Sequence, residues 1–187
     1  MDSAKSYATD PAIESVLFTR EQIAARVKEL GEQISRDYAG KPLAVIGVLR
    51  GGAVFCVDLI RQISVPLELS FIEASSYQNG TTPQTEVKIS ISRGFTAKGL
   101  NILIAEDIID TGHTLKAVRE RLLAEGALSV KTCCILNKPA RRQTEIDVDY
   151  IGFDIPDEFV VGYGLDYANK YRNLPYIGIL SRSVYEK

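Results

Sequence analysis

Tryptophan is absent from the 187 residues, histidine and methionine occur once each, cysteine three times and proline seven times. A single histidine, His113, cannot supply an imidazole-based zinc cluster, and no Ser/His/Asp relay forms around it. The cysteines, Cys56, Cys133 and Cys134, are odd in number and stand at no metal-ligand or secretory spacing. Reduced, mostly buried thiols are therefore expected. The longest apolar run, Leu43–Leu49, is far below the ~20 residues that a membrane helix needs. Residues 1–18 carry Asp2, Asp10 and Glu14 without the basic and apolar stretches of a secretion signal, so a soluble, cytoplasmic protein is expected. Basic excess is missing too. With 22 Lys plus Arg against 24 Asp plus Glu, a net charge of −2 and a pI near 5.5, no broad positive field is available for nucleic acid.

What is present is apolar material. Hydrophobic residues make up 45% and charged residues 25%, enough for one domain whose core hides roughly 70% of the unfolded surface. Thr19 and Gln22 have capping-box spacing, and Ile23, Val27, Leu30 and Ile34 then recur on one helical face until Gly40. Leu43–Leu49 is apolar on both parities, the mark of a strand covered on both faces. Gly51-Gly52 breaks the run, and Val54, Phe55, Leu59, Ile60 and Ile63 resume at helical spacing before a strand-like Leu67–Ile72. Ser75 to Glu86 is polar and aperiodic and predicts a mobile loop. After Val87–Ser92 come a strand at Leu100–Ala105, an acidic turn from Glu106 to Gly112, a helix carrying Leu115, Val118, Leu122 and Leu123, and a strand at Val130–Leu136. Alternating strands and helices predict a doubly wound, mostly parallel α/β sheet with ligands outside the carboxyl ends of its strands.

The densest chemistry lies in Glu106-Asp107-Ile108-Ile109-Asp110-Thr111-Gly112-His113-Thr114. Asp110 to Thr114 lead into a helix N-terminus, where free N–H groups attract a phosphate, Gly112 permits close approach and the threonine hydroxyls add donors. Two adjacent carboxylates just before it are costly unless they hold a cation or accept hydrogen bonds from a diol. Taken alone, the same residues also read as a solvated turn with Asp110 as an N-cap.

The full string resembles the phosphoribosyl-pyrophosphate (PRPP) signature of the type I phosphoribosyltransferases, and its Ile-Ile is similar to the hypoxanthine (hypoxanthine–guanine) branch. The resemblance continues through Val48-Leu-Arg-Gly-Gly52, Ser76-Tyr77, Leu136-Asn-Lys138-Pro and Ile155 to Arg172. It implies the type I fold: one domain over 1–187, with a core at about 19–136 and a small hood from about 137–187 plus the N-terminal segment. It also implies purine salvage, in which the 5-phosphoribosyl group passes from PRPP to N9 of hypoxanthine or guanine with Mg²⁺ as cofactor. The expected partners are PRPP and a 6-oxopurine base, without nucleic acid or membrane, in a homodimer or homotetramer.

Residue by residue, the resemblance places Glu106 and Asp107 at the ribose, partly through metal, and wraps Asp110, Thr111, Gly112, His113 and Thr114 around the 5-phosphate. Asp110 becomes the catalytic carboxylate beside purine N7. Arg50 and Gly51, after a cis Leu49–Arg50 peptide, and Arg172 take pyrophosphate, while Asp166 joins the metal set of Glu106 and Asp107 at the edge of the purine site. Lys138 donates to the purine O6, Phe159 stacks on the base and Val160 bonds it through the backbone. Ser76 and Tyr77 begin a lid, and the His113 imidazole is expected to face solvent. Read singly, Phe159 also suits a core and Lys138 a solvated charge, and Gly51 suits an ordinary turn. Two other functions share the fold: transfer to xanthine or another base, and a non-catalytic PRPP-sensing regulator that binds nucleic acid, which the acidic pI opposes.

Overall fold

The capping box at Thr19 forms as spaced: Thr19 Oγ1 accepts from the Gln22 N–H at 3.3 Å and Gln22 Oε1 accepts from the Thr19 N–H at 2.8 Å. Helix α1, Arg20–Asp37, follows and buries Ile23, Val27, Leu30 and Ile34. The computed structural model describes residues 10–77 and 86–186, with backbone alone at 75–77 and 86–87. The other elements are β1 (Ile13–Phe18), β2 (Leu43–Leu49), α2 (Gly52–Ile60), β3 (Glu68–Tyr77), β4 (Glu86–Ile91), β5 (Asn101–Ile109), α3 (His113–Ala124), β6 (Ser129–Asn137), β7 (Tyr150–Asp154), β8 (Val160–Val161), β9 (Ile177–Leu180) and α4 (Arg182–Tyr185).

Six strands form one sheet in the order β4-β3-β2-β5-β6-β7. Every pairing in it is parallel except β3 with β4. Strand alternation sorts the side chains: Val45, Leu103, Ala105, Cys133 and Ile135 pack under α1 and α2, whereas Ile46, Val48, Ile102, Ile104 and Cys134 pack under α3. Both faces are covered, which is why these strands read as unbroken apolar runs. Each large aliphatic side chain buried there contributes roughly 1.5–3 kcal/mol relative to exposure.

The adjacent Cys133 and Cys134 consequently point to opposite faces, and all three cysteines are buried. Burial pushes the Cys56 and Cys134 thiols up to about 12 and holds Cys133 well above the ordinary thiol range. Since the thiolate is the reactive form, the folded protein is expected to leave a colorimetric disulfide reagent unreacted at pH 8, and to release all three equivalents only in denaturant.

Two strands are longer than their composition suggests. Glu106 to Ile109, expected as a turn, continue β5, because Glu106, Ile108 and Ile109 pair with Cys134, Leu136 and Asn137 of β6. Ser75, Ser76 and Tyr77, expected to open a loop, continue β3 against Lys88, Val87 and Glu86. The side chains of Ser76 and Tyr77 and the rest of the expected lid, 78–85, lie outside the described residues.

Strands β1, β9 and β8 make a separate antiparallel sheet of three. Strand β1 of the N-terminal segment thereby lies beside β9 of the C-terminal one. β6 runs to Asn137, and β7 belongs to the large sheet. From β2 the chain steps outward to β3 on one side and, from β5, to β6 and β7 on the other. The switch point is therefore the crevice between the carboxyl ends of β2 and β5, where open α/β sheets bind ligands.

Candidate active site

At that crevice lies a cavity of about 320 Å³, lined by Leu49, Gly51, residues 106–112, Thr114, Asp166 and Arg172. A larger cleft of about 510 Å³ lies behind Arg172, between α1 and α2. The carboxylates gather in the smaller one. Helix α3 starts at its floor, and its N-cap is Gly112 at φ +87, with no side-chain cap. The first helical bond is Lys116 N–H to Gly112 C=O at 3.0 Å, so the N–H groups of 113–115 have no partner within the helix, and Gly112, Thr114 and Leu115 line the cavity. That is an anion cradle. The segment after β6 closes it from outside: the Gln143 and Thr144 N–H groups both donate to Thr111 C=O, at 3.1 and 3.3 Å, and a Cβ on Gly112 would lie 2.6 Å from Thr144 Oγ1. His113 is exposed, as expected, with Nε2 3.2 Å from Gln143 Oε1.

Glu106 and Asp107 form one wall. Burial, and then the neighbouring Asp107 charge, push the Glu106 carboxyl well above the usual carboxylate range. Burial also raises Asp107, opposed by hydrogen bonds from Glu106 and from the Ile108 N–H and by the Arg172 charge. Its Oδ1 accepts from Ile108 N–H at 2.8 Å, while its Oδ2 would lie 1.6 Å from any Cβ placed on Gly51. Position 51 therefore has no room for a side chain. The Leu49–Arg50 peptide just before it is cis, and Arg50 is exposed. Arg172 donates to Gly164 C=O at 2.6 Å and pairs with Asp166 Oδ1 at 2.6 Å, and Asp166 Oδ2 accepts from the Asn169 N–H at 2.7 Å.

The end of β6 adjoins the cavity through β5. The Lys138 N–H donates to Ile109 C=O at 3.0 Å, which seats Lys138 directly beside Asp110. Its Nζ donates to Glu158 C=O at 2.6 Å and lies 3.6 Å from Asp157 Oδ1. Asp110 is not an N-cap. Its Oδ1 accepts from Arg141 Nε at 3.2 Å, and Arg141 Nη1 lies 3.7 Å from Asp157 Oδ2. Phe159 is 37% exposed, with Tyr167 edge-on at 5.7 Å and Tyr185 tilted at 5.1 Å, so part of its ring remains available to a ligand. Val160 is buried and paired with Ile179.

A family model described as the phosphoribosyl transferase domain matches residues 16–168. The hypoxanthine-guanine phosphoribosyltransferase of Lactococcus lactis subsp. lactis (strain IL1403) is 50% identical over 178 residues, which is 95% of this chain and 97% of that protein. The chain belongs to the hypoxanthine–guanine phosphoribosyltransferase family. A crystal structure of the hypoxanthine phosphoribosyltransferase from Staphylococcus aureus matches this family member at a TM-score of 0.90 and 44% identity, over 100% of both chains. A mutant hypoxanthine phosphoribosyltransferase of Trypanosoma cruzi, in a ternary complex with substrates, matches at 0.89 and 37%, over 94% of this chain and 100% of that one. The fold is accordingly the type I phosphoribosyltransferase fold.

Of the family positions read from the sequence, Gly51, 106–112, Thr114, Asp166 and Arg172 line one cavity, and Lys138 adjoins it through Ile109. The three expected metal ligands do not form a cage: among the described residues no group of three His, Cys, Asp or Glu side chains could hold an ion. Asp166 is turned toward Arg172 instead. The donors still suit magnesium, which is held by one or two carboxylates plus water and substrate phosphates rather than by an all-protein shell. Arg141, Thr144 and Tyr185 were missed by the sequence reading. Only Arg141 gave any signal, as half of the Arg141-Arg142 pair.

Proposed function

We infer that this family member transfers the 5-phosphoribosyl group of PRPP to N9 of hypoxanthine and guanine, releasing pyrophosphate and forming the purine nucleotide. The observation that carries the reading is the Lys138–Ile109 backbone bond of 3.0 Å. It sets the backbone of residue 138 beside that of residue 110 at the rim of an anion cradle, where Arg141 and Asp157 link the Asp110 carboxylate to the Lys138 ammonium. The 5-phosphate is bound by the N–H groups of 113–115 and the hydroxyls of Thr111 and Thr114. Glu106 and Asp107 accept hydrogen bonds from the ribose diol. As N9 attacks C1, the C1–O bond to pyrophosphate breaks, and Arg50, the Gly51 backbone and Arg172 receive the leaving group. Asp110 exchanges the proton at N7, a step usually worth ~10²–10⁴ in rate. Phe159 stacks on the base and the Val160 backbone bonds its edge.

Glu106, Asp107 and Asp166 are the residues that would hold Mg²⁺, whose contribution when bound is to neutralise pyrophosphate charge. Ser76 and Tyr77 belong to the lid expected to exclude water. The reading includes a homodimer or homotetramer in the cytoplasm, supported by the resemblance alone. Among the described residues no helix is long and apolar enough to cross a membrane.

The deciding assay supplies purified protein with PRPP, Mg²⁺ and, in turn, hypoxanthine, guanine, xanthine, adenine and orotate. Nucleotide is expected from the first two, and turnover of orotate or adenine alone would refute the reading. Replacing both Glu106 and Asp107 with alanine is expected to weaken PRPP binding roughly tenfold or more, since each lost hydrogen bond to a charged group removes ~1.5–3 kcal/mol. Titration calorimetry checks this, and unchanged PRPP affinity would remove the pair from the ribose.

A further inference from the structure

Arg172 and Asp166 project from a hairpin that leaves β8 and returns toward β9. Its backbone bonds run from Tyr163 N–H to Leu174 C=O at 2.9 Å and from Gly164 N–H to Arg172 C=O at 3.0 Å. This hairpin meets the Gly51 turn glycine to glycine: a Cβ on Gly164, at φ +100, would sit 2.2 Å from the Gly51 carbonyl oxygen. Such a contact brings two backbones close but does not interlock them, because neither side contributes a side chain. The directional tie lies one residue away. Tyr163, buried and itself at φ +49, donates its hydroxyl to Asp58 Oδ2 at 2.9 Å. Asp58 stands on α2, whose N-cap is Gly51. One helix thus carries the turn at its start and the anchor of the facing hairpin near its end.

We propose that Asp58 and Tyr163 are the positioning pair of the pyrophosphate subsite, holding Arg172 at a fixed separation from the Gly51 backbone so that both reach the same leaving group. The proposal rests on the functional reading above, which gives pyrophosphate to Gly51 and Arg172. Neither Asp58 nor the Tyr163 hydroxyl lines the cavity of the carboxylates, so their action is indirect. The purine side keeps ties independent of Tyr163, because Val160 and Val161 are held by their own pairing with β9 and Lys138 by Ile109, and the hairpin touches it through Tyr167 against Phe159.

The test uses Tyr163→Phe, which removes one oxygen and keeps the ring, with Asp58→Ala, Asp58→Asn and the double variant Tyr163→Phe with Asp58→Ala. Magnesium pyrophosphate is titrated calorimetrically into each, and KM is measured separately for PRPP and hypoxanthine. Tyr163→Phe and Asp58→Ala should each weaken pyrophosphate and raise the KM for PRPP roughly five- to tenfold, the scale of one buried hydrogen bond. The double variant should be no worse than either single one, since both remove the same contact. Asp58→Asn, which keeps an acceptor for the tyrosine hydroxyl, should restore near wild-type affinity, and the KM for hypoxanthine should hold throughout. Unchanged pyrophosphate affinity in Tyr163→Phe would overturn the proposal. So would pyrophosphate and hypoxanthine constants rising together, which would mark a general loosening. If Asp58→Ala does not fold, Tyr163→Phe against Asp58→Asn still decides the matter. A wild type that binds no pyrophosphate would instead overturn the subsite assignment beneath the proposal.

Discussion

Asp110→Asn is expected to lower turnover at saturating substrate by about 10²-fold or more while leaving PRPP affinity near that of the wild type. The substitution keeps size and shape and removes only the ability to take up and return a proton. The anion cradle is expected to survive it, because the N-cap of α3 is Gly112 rather than Asp110 and contributes no side-chain bond. The local structure survives as well: an asparagine oxygen still accepts from Arg141 Nε, which lies 3.2 Å from Asp110 Oδ1. Arg141 and Asp110 are both half-exposed, and such pairs contribute little stability, so folding is expected to be unaffected. Single-turnover rates and a PRPP titration check the two halves of the expectation. Near-normal turnover would take Asp110 out of the chemistry, and a parallel loss of PRPP affinity would make it a binding residue instead.

Lys138→Ala is expected to collapse discrimination against adenine. An ammonium has three donors and no acceptor, so it pairs with a 6-oxo group and meets the 6-amino group of adenine donor to donor. Lys138 is 9% exposed, and Nζ already has one acceptor, Glu158 C=O at 2.6 Å. That contact, together with Asp157 Oδ1 at 3.6 Å, holds the side chain, and the proposed role gives a remaining proton to the base. A site built around a specific hydrogen bond can reject an analogue lacking it by ~10⁴ or more, and leaving a buried donor unpaired costs about 1–3 kcal/mol. The wild type should therefore use adenine ~10⁴-fold less well than hypoxanthine. The alanine variant should raise the KM for hypoxanthine and guanine and narrow that gap, with the KM for PRPP little changed. Wild-type discrimination retained in the variant, or adenine used readily by the wild type, would leave only the phosphoribosyltransferase class standing.

The parts of this site that were legible in the sequence are those where local pattern and tertiary pairing agree. Thr19 with Gln22, the solid run Leu43–Leu49 and the heptad-like Leu115, Val118 and Leu122 need only their neighbours to declare themselves. The end of β5 was misread because Glu106 and Asp107 interrupt an apolar pattern. What keeps the strand going there is the ladder to Cys134, Leu136 and Asn137, which no window of sequence contains. Ser75 to Tyr77 failed for the same reason, their strand state being set by β4. The ion pair of Arg141 with Asp110 joins positions that are remote in sequence, with α3 and β6 between them. Nothing in a residue's spacing foretells such a partner. The roles at Arg50, Lys138 and Phe159 came from likeness of motif, since singly each residue suits an ordinary turn, charge or core position equally well.

The pairing of β1 with β9, Ile13 against Leu180 and Phe18 against Ile177, has a consequence for the chain as it emerges during synthesis. The large sheet is complete once β7 has been made, at Asp154, and by then the phosphate loop, the acid pair and Asp110 already have their neighbours. The smaller sheet cannot close until Leu180 has followed, because β9 lies between β1 and β8. Synthesis adds about 5–20 residues per second. For a second or more, a nascent chain would thus hold the start of α3 and the acid pair without the smaller sheet, and β1, made first, would wait the whole time for its partner.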